Sequence, residues 1–175
     1  MNIQFIEHKD ITNSILEDIC KLKQQHWDYC LEEHKRWVKR NIYEDDIHLV
    51  VNQLNTRGGR NNIIGYMNLI RANVVSNVDD AKKMETMWGV GNVCVSQKYL
   101  KQEYGFLLMK LAEFYIKQRK KNGILLCKEK FVPFYDSVGW HKYEGNTIIQ
   151  DKPFNGFVYT KDKISAREIV INRNF

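Results

Sequence analysis

The stretch Met87–Lys121, MWGVGNVCVSQKYLKQEYGFLLMKLAEFYIKQRKK, decides the reading of this chain. Val90, Val93 and Val95 flank Cys94 in a run that suits a pleated strand. Gln97 to Tyr104 is a polar turn, with Gly105 just after it. Leu107, Leu108, Leu111, Phe114 and Tyr115 then recur at the spacing of one helix face. A strand, a short turn and the start of a helix together form an anion site. The first amides of a helix have no internal acceptor, and the helix dipole adds partial positive charge there. Gln102–Leu107 is therefore a candidate cradle for a pyrophosphate. The competing reading is a strand–turn–helix unit that binds nothing. GxxxxGK[ST] and GxGxxG are both missing, which argues against a P-loop and a Rossmann dinucleotide site.

Working outward, 175 residues are enough for one domain, residues 1–175, with a substantial core. A hydrophobic content of 43% with 12% aromatics points to a globular chain. No apolar run reaches the roughly 18 residues of a membrane span. The first residues lack the charged-then-apolar pattern of a signal peptide, so the expected location is cytoplasmic. Cys20, Cys30, Cys94 and Cys127 lack zinc-type pairing and are expected to be reduced and buried. The net charge of +6 suits an anionic ligand, but no nucleic-acid recognition motif accompanies it. His26, Cys30 and His34 would share a face of one helix, but three ligands spread over two turns converge poorly on one ion. No metal site is expected.

In chain order, Met1–Glu7 reads as a strand, and Asp10–Ser14 supplies caps for a helix carrying Ile15, Ile19 and Leu22. A further helical stretch runs from Tyr29 to Arg40, with Leu31, Trp37 and Val38 as inward residues; it and the first could be one bent helix or two. Ile47–Leu54 and Ile63–Ile70 read as antiparallel strands joined through Asn55–Asn62 and its Gly58-Gly59. Ala72–Lys83 is polar and reads as a loop before the strand containing Trp88. Gly123 punctuates the long helix by taking left-handed geometry. Ile124–Cys127 is the next strand, Phe131–Tyr135 a short helix ending near Gly139, and Trp140–Tyr143 with Phe154–Thr160 a closing hairpin. Ile169–Ile171 is one more short strand or a packed tail.

Val93-Cys94-Val95 followed by Gln102-Glu103-Tyr104-Gly105-Phe106-Leu107 resembles the acetyl-CoA signature of the GCN5-related N-acetyltransferases, a strand followed by [RQ]xxGx[GA]. Phe134-Tyr135-Asp136-Ser137-Val138-Gly139-Trp140 resembles that family's FYxxxG[FW] signature. The two occur in the right order, and the resemblance covers most of the chain, roughly from the first strand to Thr160. Leu107 departs from the pattern, standing where the family carries Gly or Ala. Cys127–Tyr135 is similar to the subgroup that acylates amino sugars, such as aminoglycoside 2′-N-acetyltransferases. The resemblance implies an α/β fold of α+β type: one domain with a mostly antiparallel sheet, two splayed parallel strands and flanking helices.

It also implies an activity. Acetyl-CoA would be the cosubstrate, with no metal, and the acetyl group would pass to a primary amine in a ternary complex. The acceptor would be a small molecule, an amino sugar first, with no nucleic acid or membrane as partner; a homodimer is compatible with the family. Val93, Cys94 and Val95 would hold the thioester end, with backbone N–H groups polarising its carbonyl. Gln102, Glu103, Tyr104, Gly105, Phe106 and Leu107 would hold the pyrophosphate. Tyr135 would protonate the leaving thiolate, and Glu85 would be the base. Glu32, Glu33, Glu44, Asp45, Asp46, Glu129 and Asp136 could favour a cationic amine; the alternative is a set of solvated surface acids. Cys94 as an acyl-enzyme nucleophile lacks a recognisable base. The departure at Leu107 admits a second reading, a non-catalytic acyl-CoA-binding or regulatory domain.

Overall fold

The structure is a computed structural model that describes residues 1–53, 62–78 and 81–175. Its elements in order are β1 (Asn2–Glu7), α1 (Asn13–Gln24), α2 (Leu31–Asn41), β2 (Ile47–Gln53), β3 (Asn62–Val78), β4 (Ala81–Val95), α3 (Tyr104–Gln118), β5 (Gly123–Cys127), α4 (Val132–Ser137), β6 (His141–Tyr143), β7 (Asn146–Ile149), β8 (Lys152–Pro153), β9 (Phe157–Thr160) and β10 (Glu168–Ile171). The connection expected at Asn55–Asn62, with Gly58-Gly59, lies outside the described residues apart from Asn62, which opens β3. Among the described residues no helix is long and apolar enough to cross a membrane. The ladders are mostly antiparallel: β4–β5 and β7–β10 are parallel, while β1–β2, β2–β3, β3–β10, β5–β9, β6–β9 and β7–β8 are antiparallel.

The chain forms two compact units, and β3, β4 and α3 each supply residues to both. The first comprises Met1–Ile70 and Asn92–Ala112. In it β2 pairs antiparallel with β1 and with β3, with a bulge at Val51/Asn52. Thr12 caps α1 by accepting from the Ile15 amide at 3.3 Å. Ile19 and Leu22 of α1 pack with Val50, Tyr66 and Cys94, joined by Ile15, Trp27 and Ile63. Side chains alternate along β3, so Gly65 faces away from Tyr66. A Cβ at Gly65 would stand 3.1 Å from Leu108 Cδ1, which brings α3 close to the strand.

The second unit comprises Arg71–Gly91 and Glu113–Phe175, and its strands run β6-β9-β5-β4-β3-β10-β7-β8. Its core gathers Ala72, Val74, Met87, Ile124, Tyr143, Val158, Ile169 and Ile171. Gly123 sits where a Cβ would meet Trp140 Cη2 at 2.7 Å and Ile116 Cδ1 at 2.9 Å. The bulk of Trp140 thus accounts for the glycine.

Several expectations are corrected. Ala72–Val78 is strand, not loop, and β4 already begins at Ala81. Ala72, Val74 and Ser76 are buried while Arg71 and Asn73 are exposed, so a polar composition conceals a two-residue period. The helix-ending left-handed residue is Lys120 (φ 50°), and Gly123 is the first residue of β5. Of the two arrangements left open for the first helical region, the structure has two separate helices, α1 and α2, so His26, Cys30 and His34 do not share a helix face. Cys30 is exposed; the other three cysteines are buried, and all four are free. Phe114 is 61% exposed, whereas Met109, Ala112 and Ile116 fill the buried face of α3. The β7–β8 hairpin turns through Gln150 (φ 48°) and Asp151 (φ 63°) without a glycine. Two left-handed central residues mark a type I′ turn, which usually announces itself as Asn-Gly or Asp-Gly.

A file of polar side chains crosses the first unit. His8 Nδ1 lies 2.9 Å from His48 Nε2, and His48 Nδ1 lies 2.9 Å from the Tyr66 hydroxyl. Burial holds the His48 imidazole down at about 3, with smaller contributions from His8 and Lys23. Its folded value is thus below the ~6.5 of a free histidine, so the unfolded chain binds the extra proton between those values. The stabilisation is complete above ~6.5 and is lost as pH falls toward 3. Between pH 7 and pH 5, His48 should account for about 2 kcal/mol of lost stability. Urea melts at the two pH values should show that loss, with a shallower pH slope in His48→Gln. Separately, Gly123→Ala should lower stability by about 1–3 kcal/mol, because the indole of Trp140 has to move; the urea midpoint measures it.

Candidate functional site

In the first unit the chain leaves β4 through a tightly anchored loop. The Ser96 amide donates to Ile64 O at 2.7 Å, closing the strand end onto β3. His26 Nε2 lies 2.7 Å from Val95 O; a carbonyl only accepts, so the imidazole carries the proton there. Gln97 and Gln25 clamp each other. The Gln97 amide donates to Gln25 Oε1, and Gln97 Nε2 donates to Gln25 O, both at 2.9 Å. The Tyr99 hydroxyl donates to Gln53 Oε1, and its ring meets Tyr104 edge-on at 5.8 Å. None of these anchors is legible as a motif, because Gln25, His26 and Gln53 are remote in sequence.

This loop delivers Lys101 (φ 65°) and Glu103 (φ 58°), both left-handed, directly before α3. A non-glycine residue in that region costs roughly 1–2 kcal/mol. Leu107 N donates to Glu103 O at 2.9 Å, so the helix ladder begins with Leu107. The amides of Tyr104, Gly105 and Phe106 precede it and have no acceptor one turn back. Three converging N–H groups at the positive end of a fifteen-residue helix suit an anion. Gln102 and Glu103 are exposed, Tyr104 and Gly105 half-buried, and Leu107 half-buried along the helix.

Further back on β4, Cys94 is buried, and burial pushes its thiol up to about 12. It is held protonated and supplies no thiolate nucleophile. Val95 is buried and Val93 half-buried. Asn92 interrupts the strand with a left-handed backbone (φ 51°), a feature the alternating valines do not signal. Lys23, only 2% exposed, lies 4.3 Å above the Trp37 ring, and burial lowers it to about 8.

The second unit holds Tyr135. Pro133 opens α4, and Gly139 (φ 75°) ends it, with Trp140 N returning to Tyr135 O at 3.3 Å. The Tyr135 ring packs on Phe134 at 5.1 Å and Tyr159 at 5.8 Å. Burial, with a lesser effect from Cys127, raises its hydroxyl well above the ordinary tyrosine range. It therefore remains a protonated donor at any working pH. Tyr159 donates to Asp136 Oδ1 at 2.8 Å. Trp140 Nε1 donates to Glu113 Oε1 at 3.2 Å, and the same carboxylate pairs with Lys161 at 3.2 Å.

The parallel ladder between β4 and β5 covers Trp88↔Gly123, Gly89↔Ile124 and Val90↔Leu125. Glu85 lies in β4, half-buried, 3.4 Å from the Lys83 ammonium. Among the acids expected to attract an amine, Glu32 pairs with Lys35, and Glu33 accepts from the Cys30 amide at 2.8 Å. Asp46 is buried and accepts from the Tyr43 amide at 2.8 Å. These have structural partners, while Glu44 and Glu129 are exposed. A cavity of about 360 Å³ is lined by Trp140–Gly145, Thr160 and Lys163–Ala166, and neither Tyr135 nor Gln102–Leu107 lines it. Among the described residues no group of three His, Cys, Asp or Glu is placed to hold a metal ion.

The sequence matches no family model and no curated protein. The fold, however, is similar to many solved structures. An acyl-CoA N-acyltransferase from Pseudomonas aeruginosa superposes with a TM-score of 0.61 at 16% identity, over 92% of this chain and 99% of that one. An aminoglycoside 6′-N-acetyltransferase complexed with coenzyme A gives 0.61 at 12% identity, over 91% and 94%. An acetyltransferase of the GNAT family from Staphylococcus aureus gives 0.57 at 16%, over 91% and 98%. At these identities the likeness is one of fold, and the fold is that of the GCN5-related N-acetyltransferases.

The geometry of the loop makes a prediction. Glu103→Gly should stabilise the chain by up to about 1 kcal/mol, since glycine takes positive φ freely. If the site works through backbone amides, the same change should leave coenzyme A affinity within about twofold. Thermal melts and calorimetry on one sample read both quantities.

Proposed function

We propose that this chain is an acetyl-CoA-dependent N-acetyltransferase acting on a primary amine. The observation that carries the reading is the start of α3: three unpartnered amides behind two left-handed residues, on a fold shared with coenzyme A-binding acyltransferases. The pyrophosphate would sit on the Tyr104, Gly105 and Phe106 amides, with Gln102 and Glu103 beside it. Leu107, whose amide is already engaged, would contribute through its position on the helix alone. The thioester would lie along Val93, Cys94 and Val95, whose backbone N–H groups would polarise the carbonyl.

The amine attacks that carbonyl directly, its nitrogen forming the new C–N bond. The C–S bond then breaks, and Tyr135 gives its proton to the departing thiolate. Glu85 is retained as the candidate base, acting directly or through water. Its carboxylate lies 3.4 Å from the Lys83 ammonium. For the acceptor we favour a small amine, with an amino sugar first; the similarity of Cys127–Tyr135 to the amino-sugar subgroup supports that order. A cytoplasmic location follows from the same reading.

Tyr135→Phe should reduce kcat by about 10²-fold or more while coenzyme A affinity stays within twofold. Free-thiol release from acetyl-CoA over an amine panel measures the first, and calorimetry the second. An unchanged kcat removes Tyr135 from the mechanism. Coenzyme A binding with no turnover on any amine favours instead the acyl-CoA-binding, non-catalytic reading that Leu107 admits.

A further inference from the structure

Two unfavourable features coincide in the first unit, one strand apart. Asn92 holds a left-handed backbone within β4, at a cost of roughly 1–2 kcal/mol for a residue with a Cβ. Its Nδ2 donates to Asn68 Oδ1 on β3 at 2.7 Å. Asn68 is 0% exposed, and its own Nδ2 is buried without a hydrogen-bond partner. A buried amide donor left unpaired is expensive, and native interiors pair nearly all such groups. Asn68 also lies opposite His48 in the β2–β3 register, so an apolar residue there would remove the unpaired donor from a row that is otherwise hydrogen-bonded.

The bond from Asn92 explains the orientation. It occupies Asn68 Oδ1 and so fixes which end of the amide remains free. Asn92 immediately precedes Val93, where the proposed function places the acyl end of the cosubstrate. The left-handed residue is also the irregular point of β4, one position from the proposed acyl site.

We propose that Asn68 is a side-chain donor to the acyl carbonyl, with Asn92 as the residue that positions it. Nδ2–H donates to the thioester oxygen and shares the negative charge that grows there as the amine adds. No bond of Asn68 itself is made or broken. This inference rests on the acetyltransferase reading and deepens it, because it separates acylated coenzyme A from free coenzyme A. The two differ only at the sulfur, so a donor to the carbonyl favours the acylated form alone.

The test needs no acceptor. Calorimetry on the full chain compares acetyl-CoA with coenzyme A in wild type, Asn68→Ala and Asn92→Gly. Isotope-edited infrared spectra of bound 1-¹³C-acetyl-CoA report the carbonyl directly. In wild type the acetyl form should bind about three- to tenfold more tightly than coenzyme A. Both variants should lower that ratio severalfold, move the carbonyl band to higher wavenumber and leave coenzyme A affinity unchanged. Asn92→Gly relieves the backbone strain, so it reports on the clamp even where Asn68→Ala folds poorly. A ratio and a band that neither variant moves would make Asn68 a structural residue and overturn the proposal while leaving the acetyltransferase reading intact. Failure of the wild-type chain to bind either ligand would overturn both.

Discussion

Everything proposed for this molecule depends on hydrogen-bond donors that the fold leaves unused. A helix must start somewhere, and its first amides always lack acceptors. Here the start is held by contacts on either side of the loop: Ser96 to β3, Gln97 to Gln25, and Tyr99 to Gln53. Those bonds offset the cost of placing Lys101 and Glu103 in left-handed geometry. Without them, a flexible turn would let water or side chains satisfy the same amides, and a phosphate would have to compete for them. The rigidity of the loop is thus what makes donors available to a ligand.

The same reasoning separates the groups in this chain that can react from those that cannot. Burial keeps Cys94 a thiol and Tyr135 a phenol, so the first is unsuited to attack and the second is suited to give a proton. Tyr159 donates to Asp136, and Lys83 lies against Glu85, so each carboxylate already has a partner within the fold. Most of the acids that looked available for a cationic substrate have structural partners instead: Glu33 caps α2, and Asp46 closes the turn at Tyr43. Specificity for an amine therefore has to come from fewer charges than the composition suggests.

Much of the fold was legible because it follows from periodicity. The strand at Val93–Val95, the helix carrying Leu108 and Tyr115, and the short helix at Tyr135 all emerge where apolar spacing predicts them. What was not legible depends on distant partners or on rare backbone states. Ala72–Val78 alternates inward and outward, but its outward residues give it the composition of a loop. Gly123 looked like a helix stop because glycine usually is one; the indole of Trp140, seventeen positions on, is what excludes a side chain there. Gln150-Asp151 makes a turn that normally carries glycine. In the candidate site, the amides of α3 could be anticipated, whereas His26 on Val95 and Asn68 beneath Asn92 join residues 69 and 24 positions apart. No local pattern reports such a pair.

The four tryptophans divide evenly: Trp27 and Trp37 belong to the first compact unit, Trp88 and Trp140 to the second. Their surroundings differ as much as their positions. Trp37 lies beneath the Lys23 ammonium, a cation that alters indole emission, whereas Trp140 is buried with its N–H on a carboxylate. The chain thus carries a native optical label in each half. Replacing one pair with phenylalanine leaves a fluorophore set that watches the melting of a single half, so the cooperativity between the two becomes a spectroscopic quantity.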